Sequence, residues 1–561
     1  MRTTDHPAAH GLISTWKSLG LSDVVISTGS RNAPLVLAAH AAGLRITVAL
    51  DERSAAHIAL GMALESGTPC CAISTSGTAA LNHGPALAEA YYMGVPLISV
   101  TADRARAKRK TGPGQMVVQN QAFKQHTTFS LEVDELDLSL DEIGTAAEEA
   151  WMQAQSGPVH VNVPFQEPLY SMRESSEFPP KMGLEHAQAT NHQCEYAPIP
   201  DELVDWLSCH DPKVLILLGA VPEYARASEA FETLKDRAAV IADAFGMIPQ
   251  AHIEPSSALM QLGWDIDTIE DLRPDVVITC GLPPMDKKWR EHLVGWNLPH
   301  WHIGKEEHDW DMFYSKSGTW EIEPQIGVEE LLKALPEFNA FASEWNVRSD
   351  RMTSAAALFA SASSNPWTDW HVYERLALRL AENASVHFAN STSARYAQWF
   401  DWKQRNVHAN RGVAGIDGCL STAVGDALAN SKRPVVLLTG DTAWQYDANG
   451  LAVRPVPSNL KVIVINNGGG NIFRWIDGPE DESVLTQYFE APFAENMKAS
   501  AQHLGLSYTF AANWSQFEES FAVWHNNTEP SLLEIKTDGI ASVRFFKALQ
   551  AHTIAALTTK R

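Results

Sequence analysis

Two strand-like runs in this chain, "PVVLLTG" and "LKVIVINN", stop at residues that can coordinate, the first at Asp441 and the second at Asn467, with Gly468, Gly469 and Gly470 directly behind. A carboxylate and an amide carbonyl are hard oxygen donors. If the two strands are neighbours in a parallel sheet, both donors lie beyond its carboxyl edge, where loops diverge and ligands gather. That set suits Mg2+, which completes its octahedron with phosphate oxygens rather than taking an all-protein cage. The glycines would let the backbone approach such a phosphate closely. The same residue types are favoured in ordinary strand-to-helix turns for their own hydrogen bonding, so the pair alone decides nothing. A dinucleotide fingerprint fits worse, because Phe473 stands where a third Gly or Ala belongs.

A second carboxylate, Glu52 in "ALDERSAAHIALGMA", follows the apolar run "RITVAL" and so also sits at a strand's carboxyl end. Taken alone it reads as an acidic residue at a helix N-terminus, favoured by the macrodipole. The stretch "PHWHIGKEEHDWD" gathers His300, His302 and His308 beside two glutamates, but its spacing matches no zinc pattern and it reads as a polar loop. The six cysteines form no CxxC pair and are too few to staple 561 residues; they read as reduced thiols.

These groups need a frame to hold them. Helix-like and strand-like segments alternate from "HGLISTWKSLGL" and "DVVIST" through the helix "TAALNHGPALAEAYYMG" to "PLISVTA", which specifies parallel strands with helical crossovers on both faces. The pattern repeats with "KVLILLGA", "AAVIADAF" and "DVVITCG", and again with "ASVHFAN", "PVVLLTG", "LKVIVINN" and "SLLEIKT". Periodicity fades over 171–200, where Pro, Ser and Glu collect as in a linker, and the stretch "SASSNPWTDW" at 361–370 separates the second section from the third. The expectation is an α/β protein of three consecutive doubly wound parallel-sheet domains, at 1–180, 201–345 and 366–561. A formal charge of −24 and the lack of a basic run with interleaved aromatics argue against nucleic acid as a partner. The N-terminal stretch has no signal-like apolar region and no apolar run reaches about eighteen residues, so a cytoplasmic protein with no membrane span is expected.

With a spacer of this length between them, the GD at 440–441 and the NN at 466–467 resemble the thiamin-diphosphate motif. The resemblance implies that Asp441, Asn467 and the Gly469 carbonyl bind Mg2+, for which Mn2+ could substitute. It also implies that Thr442, Ala443, Asn471, Ile472 and Phe473 line the cofactor; Thr442 stands where many members have Gly. The blocks "STGSRNAPL", "DERSAAHIALGMA", "TSGTAALNHGPALAEA", "TADR", "NRGVAGIDGCLSTAVG" and "GDTAWQYDANGL" occur in that order. Together they closely resemble the 2-succinyl-5-enolpyruvyl-6-hydroxy-3-cyclohexene-1-carboxylate synthases, thiamin-diphosphate enzymes of menaquinone biosynthesis. The likeness is strong over residues 1–125 and 385–475 and weak in the middle domain, where "DVVITCG" and "KKW" carry it.

What the family does then becomes the expectation: 2-oxoglutarate loses CO2 and its carbanion equivalent adds to isochorismate. Glu52 would be the catalytic carboxylate, hydrogen-bonded to the cofactor's aminopyrimidine, and Ile416 the apolar wedge beneath the cofactor. Resemblance places Ser30, Arg31, Arg104 and Gln115 on the substrate side of the first domain and Ser391, Arg395 and Arg411 on that of the third. Lys287 and Lys288 match a basic pair in the middle domain. Arg suits this task because its planar fork meets a carboxylate bidentately. The implied assembly is a homodimer or dimer of dimers, with Glu52 of one chain meeting Asp441 of another. Two departures stand out: Gly114 occupies the place of a usual Asn, and Thr28 that of a usual Pro. Two alternatives are another thiamin-diphosphate decarboxylase or carboligase of the acetolactate-synthase kind, and a catalytically silent protein on this fold. Retention of Glu52, Asp441 and Asn467 argues against the second.

Overall fold

The structure, a computed structural model, describes residues 2–112, 114–174, 197–208, 212–222, 233–246, 270–283, 285, 287–304, 311–362, 366–403, 406–476, 478–479, 481–490, 492 and 496–558. Three parallel sheets follow one another along it. In the first, the spatial order is Arg45–Ala49, Asp23–Ile26, Cys70–Ser74, Leu97–Arg104, Val159–Phe165 and Phe129–Glu132. In the third it is Asn406–His408, Ser385–Phe388, Val435–Gly440, Leu460–Asn466, Ser531–Lys536 and Ser507–Ala511. Counted along the chain, both read second, first, third, fourth, sixth, fifth, a shared topology that no sequence repeat announces. The middle sheet runs Ala239–Ala242, Val214–Leu218, Val276–Cys280, His300–Ile303 and Lys316–Trp320.

In each sheet the order reverses between the first and third strands, which opens a crevice at their carboxyl ends. The "STGSR" and "TSGT" loops leave the first sheet at that point, and the loops carrying Ser391 and Asp441 leave the third. Helices cover both faces, so central strands such as Cys70–Ser74 and Val159–Phe165 are buried at every residue.

The first and third units pack directly. Helix Glu52–Ser66 begins where the Asp51 carboxylate accepts the Arg53 and Ser54 amides and ends at Gly67 in the left-handed region. It crosses helix Cys419–Ala429 so closely that a methyl on Gly61 would lie 2.0 Å from the Thr422 carbonyl oxygen, and one on Gly425 would lie 2.1 Å from that of Ile58. Val453–Arg454 also adds an antiparallel edge to the first sheet, against Arg45–Ala49. One apolar cluster spans both units and another joins the middle unit to the third.

Several local expectations change. The helix read across "TAALNHGPALAEAYYMG" is two, Thr78–Leu81 and Gly84–Met93, because Pro85 has no N–H to continue the first. Met172–Glu174, placed in a linker, pairs with Arg2–Thr4. The polar loop read around His300 is a buried strand, in which His300 and His302 both contact the Thr279 hydroxyl, at 2.8 and 2.9 Å; His308 lies outside the described residues. Cys70, Cys71, Cys280 and Cys419 are buried thiols outside any disulfide among the described residues, and Cys194 and Cys209 lie outside the described residues. Among the described residues no helix is long and apolar enough to cross a membrane.

Candidate active site

The strands ending at Asp441 and Asn467 are hydrogen-bonded neighbours, with Gly440 opposite Ile465, so the condition for a shared donor corner is met. The Asp441 carboxylate is 7 % exposed and accepts three backbone amides: Thr442 at 2.7 Å through one oxygen, and Gly468 and Gly469 at 3.0 and 2.9 Å through the other. Burial pushes its carboxyl above the ordinary range, and those amides draw it back. Gly468 and Gly469 sit at φ of 96° and 124°, the left-handed region that turns both amides onto the carboxylate and that a side chain would strain. The Gly469 carbonyl accepts the Asn471 amide at 2.8 Å, which leaves it a second lone pair. The Asn467 amide nitrogen donates to Asp369 at 2.8 Å, and its oxygen has no partner among the described residues. Asn471 donates to the Gly539 carbonyl at 3.2 Å and keeps a buried, unpartnered oxygen. A carboxylate, an open amide oxygen and a backbone carbonyl form an all-oxygen donor set that fits Mg2+.

Beside this corner, Ile416 packs with Ala443, Ala389 and Cys419 in a small apolar cluster. The loop that carries it is held from two sides. Asn390 donates to the Asn410 and Gly415 carbonyls at 2.7 and 2.6 Å and accepts the Arg411 guanidinium at 2.7 Å. From the first unit, Glu89 accepts the Gly412 and Val413 amides at 2.7 and 2.8 Å, one on each carboxylate oxygen. Glu89 is 2 % exposed, and burial pushes its pKa up to about 7.

Glu52 opens its helix half-buried, and its carboxylate makes no hydrogen bond or ion pair among the described residues. Its neighbours tie that helix end to the last turn of helix Asp441–Asp447 and the segment after it. Arg53 donates to the Tyr446 carbonyl at 2.9 Å and lies 4.6 Å over the Tyr446 ring, Asn449 donates to Asp51, and the Leu50 amide reaches Ala452. Residues 50–53 and 446–452 therefore meet within one chain.

The remaining site residues lie on loops at the carboxyl edges. Ser30 is exposed; Arg31 is buried and paired with Glu167 at 2.9 Å. Arg104 donates twice to the Gly114 carbonyl, at 3.0 and 2.6 Å, and so pins the segment that holds Gln115. A side chain at Gly114 would meet nothing within 4 Å. Gln115, Ser391 and Ala414 adopt positive φ without being glycine, at 55°, 73° and 56°, as Gln121, Asn297 and Tyr314 also do. Ser391 precedes helix Thr392–Ala397, which carries Arg395 half-buried. Ile472 and Phe473 begin the short helix behind the glycines, and Phe473 meets Phe489 edge-on at 5.3 Å. Lys287 and Lys288 begin helix Lys287–Trp296, and their side chains lie outside what is described.

Sequence reasoning missed Asp369, Glu89 and Asn390. Glu89 stands inside "ALAEA" and Asn390 inside "FANS", where apolar neighbours and a strand end offered a faint signal; Asp369, in a stretch read as a boundary, offered none.

Comparison with known proteins matches residues 7–128 to the thiamine pyrophosphate enzyme N-terminal TPP binding domain and residues 389–535 to the corresponding C-terminal TPP binding domain. The 2-succinyl-5-enolpyruvyl-6-hydroxy-3-cyclohexene-1-carboxylate synthase of Flavobacterium johnsoniae is 32 % identical over 96 % of this chain and 98 % of its own. The protein of the same name from Cytophaga hutchinsonii is 32 % identical over 94 % and 95 %, and that of Desulfotalea psychrophila 30 % over 92 % and 96 %.

Proposed function

The chain belongs to the 2-succinyl-5-enolpyruvyl-6-hydroxy-3-cyclohexene-1-carboxylate synthase family of thiamine pyrophosphate enzymes, and on that premise we propose how its residues divide the reaction. The enzyme is a transferase of menaquinone biosynthesis that removes CO2 from 2-oxoglutarate and adds the resulting succinyl-semialdehyde carbanion equivalent to isochorismate. Thiamin diphosphate, when bound, supplies the electron sink for that decarboxylation.

Asp441, the Asn467 amide oxygen and the Gly469 carbonyl hold Mg2+, with Mn2+ as a substitute, and through it the cofactor's diphosphate. The observation that carries this is the Asp441 carboxylate gripping the Gly468 and Gly469 amides across two neighbouring strands, beside an amide whose oxygen is left open. Thr442, Ala443, Asn471, Ile472 and Phe473 would line the cofactor, and Ile416, packed with Ala443, would give it an apolar support. Among the described residues the Glu52 carboxylate has no partner, as suits a group reserved for the aminopyrimidine. Arg411, Arg395 and Ser391 face the substrates from the third unit, and Ser30, Arg31, Arg104 and Gln115 from the first; Lys287 and Lys288 are assigned to substrate by the family resemblance alone. Arg31 exchanges Glu167 for a substrate carboxylate, a swap of like partners.

The site is completed in a homodimer or a dimer of dimers. Leu50 and Val118 are 72 % and 84 % exposed, and Tyr446 and Val413 are exposed as well, apolar surface on site segments that an interface would cover. The competing arrangement is a site closed within one chain, since residues 50–53 already meet 446–452. Purified protein assayed with Mg2+, thiamin diphosphate, 2-oxoglutarate and isochorismate, each omitted in turn, tests the reaction; turnover that persists without isochorismate or without Mg2+ refutes the assignment. Mixing inactive Glu52→Gln with inactive Asp441→Asn tests the interface, because partial recovery requires two chains per site, and no recovery despite verified subunit exchange points to one.

A further inference from the structure

We propose that Asp369 is a positioning residue that turns the Asn467 amide so that its oxygen, and not its nitrogen, is presented to the metal ion. Asp369 opens helix Asp369–Arg379, far along the chain from either motif, and is 1 % exposed. Its Oδ2 accepts the Asn467 Nδ2 at 2.8 Å, its Oδ1 accepts the Thr537 hydroxyl at 2.5 Å, and its own amide donates to the Ser542 hydroxyl at 3.1 Å. Thr537 directly follows strand Ser531–Lys536, the neighbour of the strand that ends before Asn467, and its amide donates to the Asn466 carbonyl. The carboxylate is thus fixed on both sides by the strands that deliver Asn467.

Both Asp369 oxygens act as acceptors, one from Thr537 and one from Asn467, whereas an amide has a donating and an accepting end. With Asp369 in place the nitrogen must face it. Rotating the amide by half a turn would set oxygen against carboxylate and aim two N–H donors at a cation, so both ends of the alternative are repulsive. Without Asp369, the two orientations differ little within the protein and the metal alone must select one. Partners of this kind, one shell behind a ligand, change metal affinity by about 10- to 100-fold.

The inference rests on the Mg2+ reading of Asp441 and Asn467, and the experiment separates the two. Mg2+ is titrated into protein with thiamin diphosphate, and binding is followed calorimetrically and by tryptophan fluorescence, independently of turnover. Asp369→Ala should weaken Mg2+ by about 10- to 100-fold, and Asp369→Asn, whose amide oxygen can still accept from Asn467, should recover most of that loss. Asn467→Asp sets two carboxylates together and should bind Mg2+ poorly in spite of its added charge, while Asp369→Asn combined with Asn467→Asp restores a donor–acceptor pair and should bind it well. This exchange also decides the matter if Asp369→Ala does not fold. A lower unfolding midpoint with unchanged Mg2+ affinity in the Asp369 variants, or an exchange pair no better than Asn467→Asp alone, overturns the positioning role. If Asp441→Asn leaves Mg2+ binding unchanged, the metal reading fails and takes this inference with it; if Asp441→Asn abolishes binding and Asp369→Ala does not weaken it, only the inference fails.

Discussion

Replacing Glu89 by Gln should flatten the pH dependence of stability while impairing the enzyme. Glu89 reaches from helix Gly84–Met93 of the first unit to the amides of Gly412 and Val413 in the third. Burial raises its pKa from 4.5 to about 7, opposed by the two amides and by the Arg411 charge and assisted by Asp417. Between those values the folded protein holds a proton that the unfolded chain has released. Stability from this group is therefore fully present below the unfolded value and is lost as pH rises through about 7. At about 1.4 kcal/mol per pH unit, the separation amounts to about 3 kcal/mol. The ionised carboxylate is kept in spite of this because only it accepts one amide on each oxygen; Gln has a single acceptor and aims N–H at the second amide. Urea unfolding from about pH 5 to about pH 8.5 should show the wild type losing about 3 kcal/mol more than Glu89→Gln over that interval. Its apparent affinity for isochorismate should fall by about tenfold, since one charge-assisted bond worth about 1.5–3 kcal/mol no longer fixes the loop bearing Arg411. Parallel stability curves for the two proteins would refute the reasoning.

Asp441→Asn should weaken both Mg2+ and thiamin diphosphate, because a neutral amide cannot match a carboxylate's charge at the ion; unchanged cofactor affinity in a binding titration removes the metal assignment. Glu52→Gln should bind thiamin diphosphate within about threefold of wild type yet lower kcat by about 100-fold or more, the scale of a lost acid–base partner, and a wild-type kcat would contradict the role. Arg31→Ala and Arg395→Ala should each lower the apparent affinity for isochorismate by about one to two powers of ten while CO2 release from 2-oxoglutarate in a single turnover stays nearly intact. Loss of the decarboxylation step with normal isochorismate affinity would assign these arginines to the donor.

The sequence by itself determined the parts whose cause is local. Apolar runs such as "PVVLLTG" and "LKVIVINN" are strands because β-branched residues with polar stops leave few alternatives, and they end at Asp441 and Asn467 whatever surrounds them. The order of the loop blocks was enough to bring Glu52, Arg411 and the glycines under one family. Tertiary structure decided which strands are neighbours, and with that whether two candidate donors separated along the chain share a corner. It also decided which end of the Asn467 amide is open, because the choice belongs to Asp369, a residue that in sequence is only an acid at a helix start, as Asp51 is. Glu89 reads as one polar position in an apolar helix until the Gly412 and Val413 amides are placed against it. The physical reason is the same in each case. Propensity and periodicity act over a few residues, whereas a buried polar group takes its role from a partner that only the folded chain brings within hydrogen-bonding distance.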